Sequence, residues 1–212
     1  MIAETLEALN EARENTGSGA SEQEVLFGGI EAELEKLAAS MNEASPQNGE
    51  GPGGSSQEAY QKQQNASRTT EELTTALKQQ IDQGLVEVEQ RDDKVFITVG
   101  SGGAFPSGTA DLTEEAQRIL DRISLAAMSP QSTITVTGHT DDVPLIFGSN
   151  YRDNWDLAAA RSASVVQAFA ANGTISEDRL EAISYGESRP VESNESAEGR
   201  AKNRRIEIEI NY

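Results

Sequence analysis

T-I-T-V-T-G-H-T-D-D, Thr133 to Asp142, alternates β-branched residues and then breaks at a glycine, a histidine and two carboxylates. A period of two marks a half-buried strand, and Gly138 lets the chain turn sharply as it leaves the sheet. N-W-D-L-A-A-A-R, Asn154 to Arg161, changes to a helical period. Asn154 caps this helix, Leu157, Arg161, Val165 and Phe169 lie along one side, and Gly173 stops it. The alternation extends in both directions. Upstream, Leu85 to Gln90 and Val95 to Gly100 are β-rich runs joined by R-D-D-K, which reads as a hairpin. Asp111-x-x-Glu114 then caps a helix with Leu112, Ala116, Ile119, Ile123 and Ala127 on one face, ended by Pro130. Downstream, a short turn at 176–180 leads to a strand from Glu181 to Tyr185. R-R-I-E-I-E-I closes the chain, with Ile206, Ile208 and Ile210 facing a core and Glu207 and Glu209 facing water. Residues 85–212 are therefore expected to form an α/β (α+β) two-layer sandwich, a mixed sheet with helices on one face.

The chain has 212 residues, a net charge of -19, one His, no Cys and 36% hydrophobic residues. That is one ordinary domain plus a polar tail. Residues 1–59 read as an acidic tether. Phe27, Ile30, Leu34, Leu37 and Met41 repeat at helical spacing after a Ser21-x-x-Glu24 capping box, Ile2, Leu6 and Leu9 suggest a weaker helix, and P-Q-N-G-E-G-P-G-G-S-S-Q from Pro46 reads as a flexible linker. Its G-x-G-x-x-G at Gly49, Gly51 and Gly54 follows no strand and is interrupted by Pro52, so it is no dinucleotide fingerprint. Residues 60–84 read as a linker helix entering the domain, with Leu73, Leu77 and Ile81 on one stripe, Thr69-x-x-Glu72 as cap and Gly84 as stop.

Composition excludes several function classes. Nucleic acid and anionic lipid are held by clustered Lys and Arg, against which the overall charge works. Without Cys there are no disulfides, iron-sulfur clusters, Cys-ligated zinc or thiol nucleophile. No apolar run is long enough to cross a bilayer. Neither G-x-S-x-G nor H-E-x-x-H occurs, the lone His139 lacks obvious metal partners, and the adjacent Asp141 and Asp142 are poorly placed to converge on one glycosidic bond. The expectation is a non-enzymatic module without metal or cofactor.

Asp141, at the strand end, and Arg161, on the apolar stripe of the next helix, are the informative charges. A buried cation there needs a partner. Two arrangements satisfy it: an internal Asp141–Arg161 salt bridge, or a shared grip on a zwitterion, Asp141 taking an ammonium and Arg161 a carboxylate. G-R-A-K-N-R-R, Gly199 to Arg205, adds a cationic cluster immediately before the last strand, which also reads as a helix-end patch.

T-G-H-T-D-D, N-W-D-L-A-A-A-R-S-A-S-V, R-L-E-A-I-S-Y-G-E-S-R-P and G-R-A-K-N-R-R-I-E-I, in that order, resemble the successive blocks of the OmpA-like peptidoglycan-binding domain. G-A-F-P-S-G at Gly103 and Y-R-D-N-W-D-L at Tyr151 are similar to the B subunit of bacterial flagellar stators, the MotB/PomB family, and most of all to its PomB-like branch. The resemblance covers roughly residues 60–212. It implies a βαβαβ core and a site that binds the diaminopimelate of a peptidoglycan stem peptide through Asp141 and Arg161, with Thr140, Asn154, Leu157, Arg200, Arg204 and Arg205 around them. It also implies a homodimer, a stator A subunit as partner of the full-length protein, and a periplasmic location with an inner-membrane anchor. A stator B subunit begins with a membrane helix carrying an ion-conducting aspartate, which this sequence does not contain; a trimmed piece or a soluble relative is expected. A plug helix at 2–14 or 24–41, and a linker and helix before Leu85 that rearrange so that the domain reaches the wall only after motor assembly, follow by the same resemblance. The alternative is a stand-alone OmpA-like protein that anchors the envelope to the wall.

Overall fold

The computed structural model describes residues 53–129, 132–146 and 148–212. The capping box at Ser21, the stripe from Phe27 to Met41, the weaker helix at Ile2, most of the linker and the Pro130 stop lie outside the described residues. Five strands form one mixed sheet: β1 (Val86–Arg91), β2 (Lys94–Gly100), β3 (Thr133–His139), β4 (Leu180–Gly186) and β5 (Arg205–Asn211), in the order β1-β2-β5-β3-β4. β1, β2, β5 and β3 pair antiparallel in sequence across the sheet; β3 and β4 are parallel. The helices are α1 (Gly53–Ala76), α2 (Lys78–Asp82), the single turn α3 (Ser101–Ala104), α4 (Glu114–Ala126), α5 (Asn154–Ala171) and α6 (Ala197–Asn203).

The fold class is as expected, an α+β sandwich with one core. Ile206, Ile208 and Ile210 of β5 join Val95 and Ile97 of β2 and Ile134 and Val136 of β3 on the buried face. Ile119, Ile123, Val165 and Phe169 cover them from α4 and α5. The opposite face of the sheet is polar: Glu207 stands opposite Thr98 on β2 and Thr137 on β3, and Glu209 opposite Phe96 and Thr135. The hairpin is tighter than R-D-D-K suggests. Arg91, the last residue of β1, pairs with Lys94, the first of β2, and Asp92 takes φ 55 in the two-residue turn, a left-handed conformation that Asp tolerates.

Several local assignments differ from the sequence reading. α1 begins at Gly53, within the stretch read as linker, and runs straight through Thr69. Thr69 is no cap; it is 1% exposed, and its hydroxyl pairs with the Tyr212 hydroxyl of the chain's last residue. Ala66, Leu73 and Leu77 belong to the same core as the strands. Thr113, not Asp111, caps α4, accepting from the Ala116 amide at 3.1 Å. Gly138 is still within β3, and the reason for a glycine there is contact: an added Cβ would stand 2.3 Å from the Ala158 carbonyl oxygen of α5. Lacking that carbon, β3 accepts α5 directly against its backbone, which fixes the helix over the strand end.

Candidate functional site

The site forms where β3 ends under the first turns of α5. The Thr140 amide donates to the Gly186 carbonyl at 2.9 Å, extending the β3–β4 ladder past a shift in register at His139. Asp141 follows, 7% exposed. Its Oδ1 accepts from the Val143 amide at 3.3 Å, a local turn that aims the carboxylate back along the loop. Asn154 clamps that loop, its Nδ2 donating to the carbonyls of Asp141 at 3.2 Å and Val143 at 3.1 Å. It is therefore not the helix cap. Asp153 has that role, accepting from the Asp156 amide at 2.9 Å.

The partner of Asp141 is Arg204. Arg204 Nη1 lies 2.5 Å from Asp141 Oδ2, and the Arg204 side chain is 39% exposed. Arg204 is aimed by the junction between α6 and β5, which Asn203 pins. Asn203 is fully buried, accepts from the Val191 and Glu192 amides at 2.8 and 2.9 Å, and donates to the Glu192 carbonyl at 2.7 Å. The helix-end reading of the basic cluster fits α6, whose last turn carries Arg200 and Lys202, but the Asn203 pin is not legible in it.

Arg161 is buried, 4% exposed, on the face of α5 turned to the core. Its Nε donates to the Thr109 carbonyl at 2.8 Å, and its guanidinium lies 5.0 Å from the centre of the Phe105 ring. It makes no salt bridge to Asp141, so the internal pair weighed in the sequence does not form. Arg161 is nevertheless in the field of the site. Burial pulls its guanidinium below the usual arginine range, Tyr151 and Asp141 oppose that shift, and Arg204 adds to it. Arg161 thus senses both members of the Asp141–Arg204 pair without touching either carboxylate oxygen. Leu157, one turn before Arg161 on α5, and Thr140, beside Asp141 in the chain, are each 4% exposed, and Thr140 Oγ1 has no hydrogen-bond partner among the described residues.

Arg200 and Arg205 are not brought to Asp141. Arg200 Nη1 donates to the carbonyls of Asn194 at 2.6 Å and Glu195 at 3.1 Å, tying down the loop before α6. Arg205 lies on the polar face of the sheet, its Nε 2.7 Å from Glu207 Oε1. There His139, 2% exposed, places Nε2 3.6 Å from Glu207 Oε2, with Tyr185 5.8 Å from it ring to ring. His139 and Arg205 together hold the Glu207 carboxyl down to about 2, against burial, which raises it. Among the described residues no group of His, Asp or Glu is placed to hold a metal ion, and no helix is long and apolar enough to cross a membrane.

This sandwich, with charged residues at the end of β3 and on α5, defines an OmpA-like domain. Residues 104–204 match the OmpA family, and the chain carries a domain of that family. Several of its relatives are of the MotB type. Motility protein B of Bacillus subtilis is 34% identical over 59% of this chain and 48% of its own. That of Helicobacter pylori is 30% identical over 57% of this chain and 48% of its own. The chain spans about half the length of the curated relatives it matches. Among solved structures, a MotB-like protein from Desulfovibrio vulgaris superposes with a TM-score of 0.65 at 28% identity, over 72% of this chain and 94% of that one. The cell wall anchor of the type VI secretion system from Pseudomonas aeruginosa gives 0.59 at 34% identity, over 66% and 96%.

Proposed function

We propose that the domain is a periplasmic peptidoglycan anchor of a MotB/PomB-type flagellar stator, gripping the zwitterionic diaminopimelate of a wall stem peptide. The observation that carries this reading is Arg161. A guanidinium stays charged even when buried, and this one has a carbonyl and a ring as neighbours but no carboxylate partner among the described residues. A ligand carboxylate supplies the missing counter-ion, with two parallel hydrogen bonds. Asp141 takes the ligand ammonium. Its present partner, Arg204, has a side chain 39% exposed and can swing toward solvent or share the carboxylate as the ligand enters. Asn154, Thr140 and Leu157 shape the cradle, while Arg200 and Arg205 act at a distance by holding the loops and strand that carry Arg204. Among the described residues no acid and base pair is seen to flank the site, which favours binding under load over bond cleavage.

In the full-length protein the reading extends to a homodimer beside a stator A subunit, anchored in the inner membrane. Two domains on one stator raise the effective concentration of each for the wall, so that individually weak grips hold together. Purified peptidoglycan sacculi should pull down the wild-type protein, and an Asp141→Ala, Arg161→Ala double variant that remains folded should stay in solution. Equal sedimentation of the two proteins would overturn the reading.

The likeness to the type VI anchor, 34% identical over 96% of that chain, favours a second reading, an OmpA-like wall anchor serving another envelope assembly. Deleting the gene separates them. Loss of swimming with an intact envelope belongs to a stator, and normal swimming belongs to the second reading.

A further inference from the structure

Trp155 is the chain's one tryptophan, and it is 44% exposed. It is the second residue of α5, directly after Asn154, whose side chain holds the carbonyls of Asp141 and Val143. Its position is set from below. A Cβ on Gly186 would stand 3.0 Å from Trp155 Cδ1 and Cγ, so the indole rests on a bare stretch of backbone at the end of β4. Gly186 is at φ +48, a conformation that also favours glycine, and its carbonyl receives the Thr140 amide. Ser184 Oγ donates to the Trp155 carbonyl at 2.9 Å, a second tie between helix and strand. The ring is thus packed on one side by the strand that borders Thr140 and Asp141, and exposed on the other.

We infer that Trp155 is a carbohydrate platform: its open face takes a pyranose ring of the glycan strand from which the stem peptide hangs. The inference rests on the stem-peptide reading of Asp141 and Arg161, because that peptide is covalently joined to a sugar and brings it to the rim of the site. A pyranose presents a face of C–H bonds, which an aromatic ring attracts through its negative π surface, and a rim of hydroxyls. The residues that flank it in the chain match the rim: Arg152 and Asp153 just before it are exposed, and Arg152 pairs with Asp156 just after it. Mixed charge of this kind suits hydroxyl groups and does not suit a hydrocarbon surface or an anionic bilayer.

The single tryptophan makes the test direct. The wild-type protein is titrated by calorimetry and indole fluorescence with a disaccharide tripeptide released from peptidoglycan, and with the same diaminopimelate tripeptide freed of sugar. The disaccharide form should bind ~10-fold more tightly, about the worth of one good aromatic contact, and it alone should shift the emission. Trp155→Ala should bring the two affinities together without weakening the sugar-free peptide, and Trp155→Tyr should restore most of the difference. Equal affinities for the two ligands in the wild type, equal emission changes, or a sugar preference that survives Trp155→Ala would overturn the platform while leaving the peptide site standing. Binding of neither ligand would remove both.

Discussion

In the proposed grip, Arg161 and Asp141 divide the task by what each can and cannot lose. Arg161 cannot shed its charge, and its fork, rather than the charge alone, is what matches a carboxylate. Arg161→Lys should therefore weaken stem-peptide binding by at least ~10-fold although the charge is kept, read by calorimetry on the folded variant. Glu207 offers a separate test on the opposite face of the sheet. Its carboxyl is held at about 2 in the fold against an ordinary value of 4.5, so the stability it contributes is complete above that ordinary value. That contribution is lost as the pH falls from about 4.5 toward about 2. Glu207→Gln should make the denaturation midpoint less sensitive to acid in that window than the wild type's. Parallel pH profiles for the two proteins would show that Arg205 and His139 do not stabilise the ionised group. The types of the charged residues were legible in the sequence, and their pairing was not. Arg161 stood out because a cation on an apolar stripe is anomalous. Arg204 and Arg205 looked equivalent, because only the strand's alternation, read from a known starting residue, sends one to Asp141 and the other to Glu207.

At the scale of elements, the strands were legible because each alternates over a single buried face, as Ile206, Ile208 and Ile210 do in β5. The ends of helices were harder. Asn154, Asp153 and Asp111, Thr113 are each neighbouring cap-forming residues, and which one caps depends on what else claims the side chain; Asn154 is claimed by the Asp141 loop. α6 shows in the sequence only as a helix-end patch of bases, because its seven residues are too short to show a period. Gly138 reads as a turn residue in the sequence, but it lies within β3. Gly138→Ala puts a methyl group 2.3 Å from the Ala158 oxygen, which must separate α5 from β3. A loss of about 1–3 kcal/mol or more is expected by chemical denaturation, and weaker stem-peptide binding should accompany it, because the same contact seats α5, which carries Arg161, over the strand end that leads to Asp141. Unchanged stability would mean that the helix and strand can part without cost.

For the molecule as a whole, the acidic composition conceals an ordinary core that extends further toward the N-terminus than the sequence suggested. α1 looks polar, yet its Leu73, and Leu77 just after it, are fully buried, and its Thr69 meets the last residue, Tyr212. Leu73→Ala should cost about 2–5 kcal/mol, a core-sized loss that a detachable linker helix would not show. That result would also restrict any extension toward the wall to residues before the buried part of α1. The central claim is that Asp141 and Arg161 grip the two ends of one zwitterion. An NMR titration of the labelled protein with a diaminopimelate tripeptide tests it most directly. The account predicts saturable shifts of the Asp141 amide and the Arg161 Nε–H signal with a common affinity, both abolished when the ligand's side-chain carboxylate is amidated. Shifts confined to other surfaces, or unaffected by amidation, would contradict it.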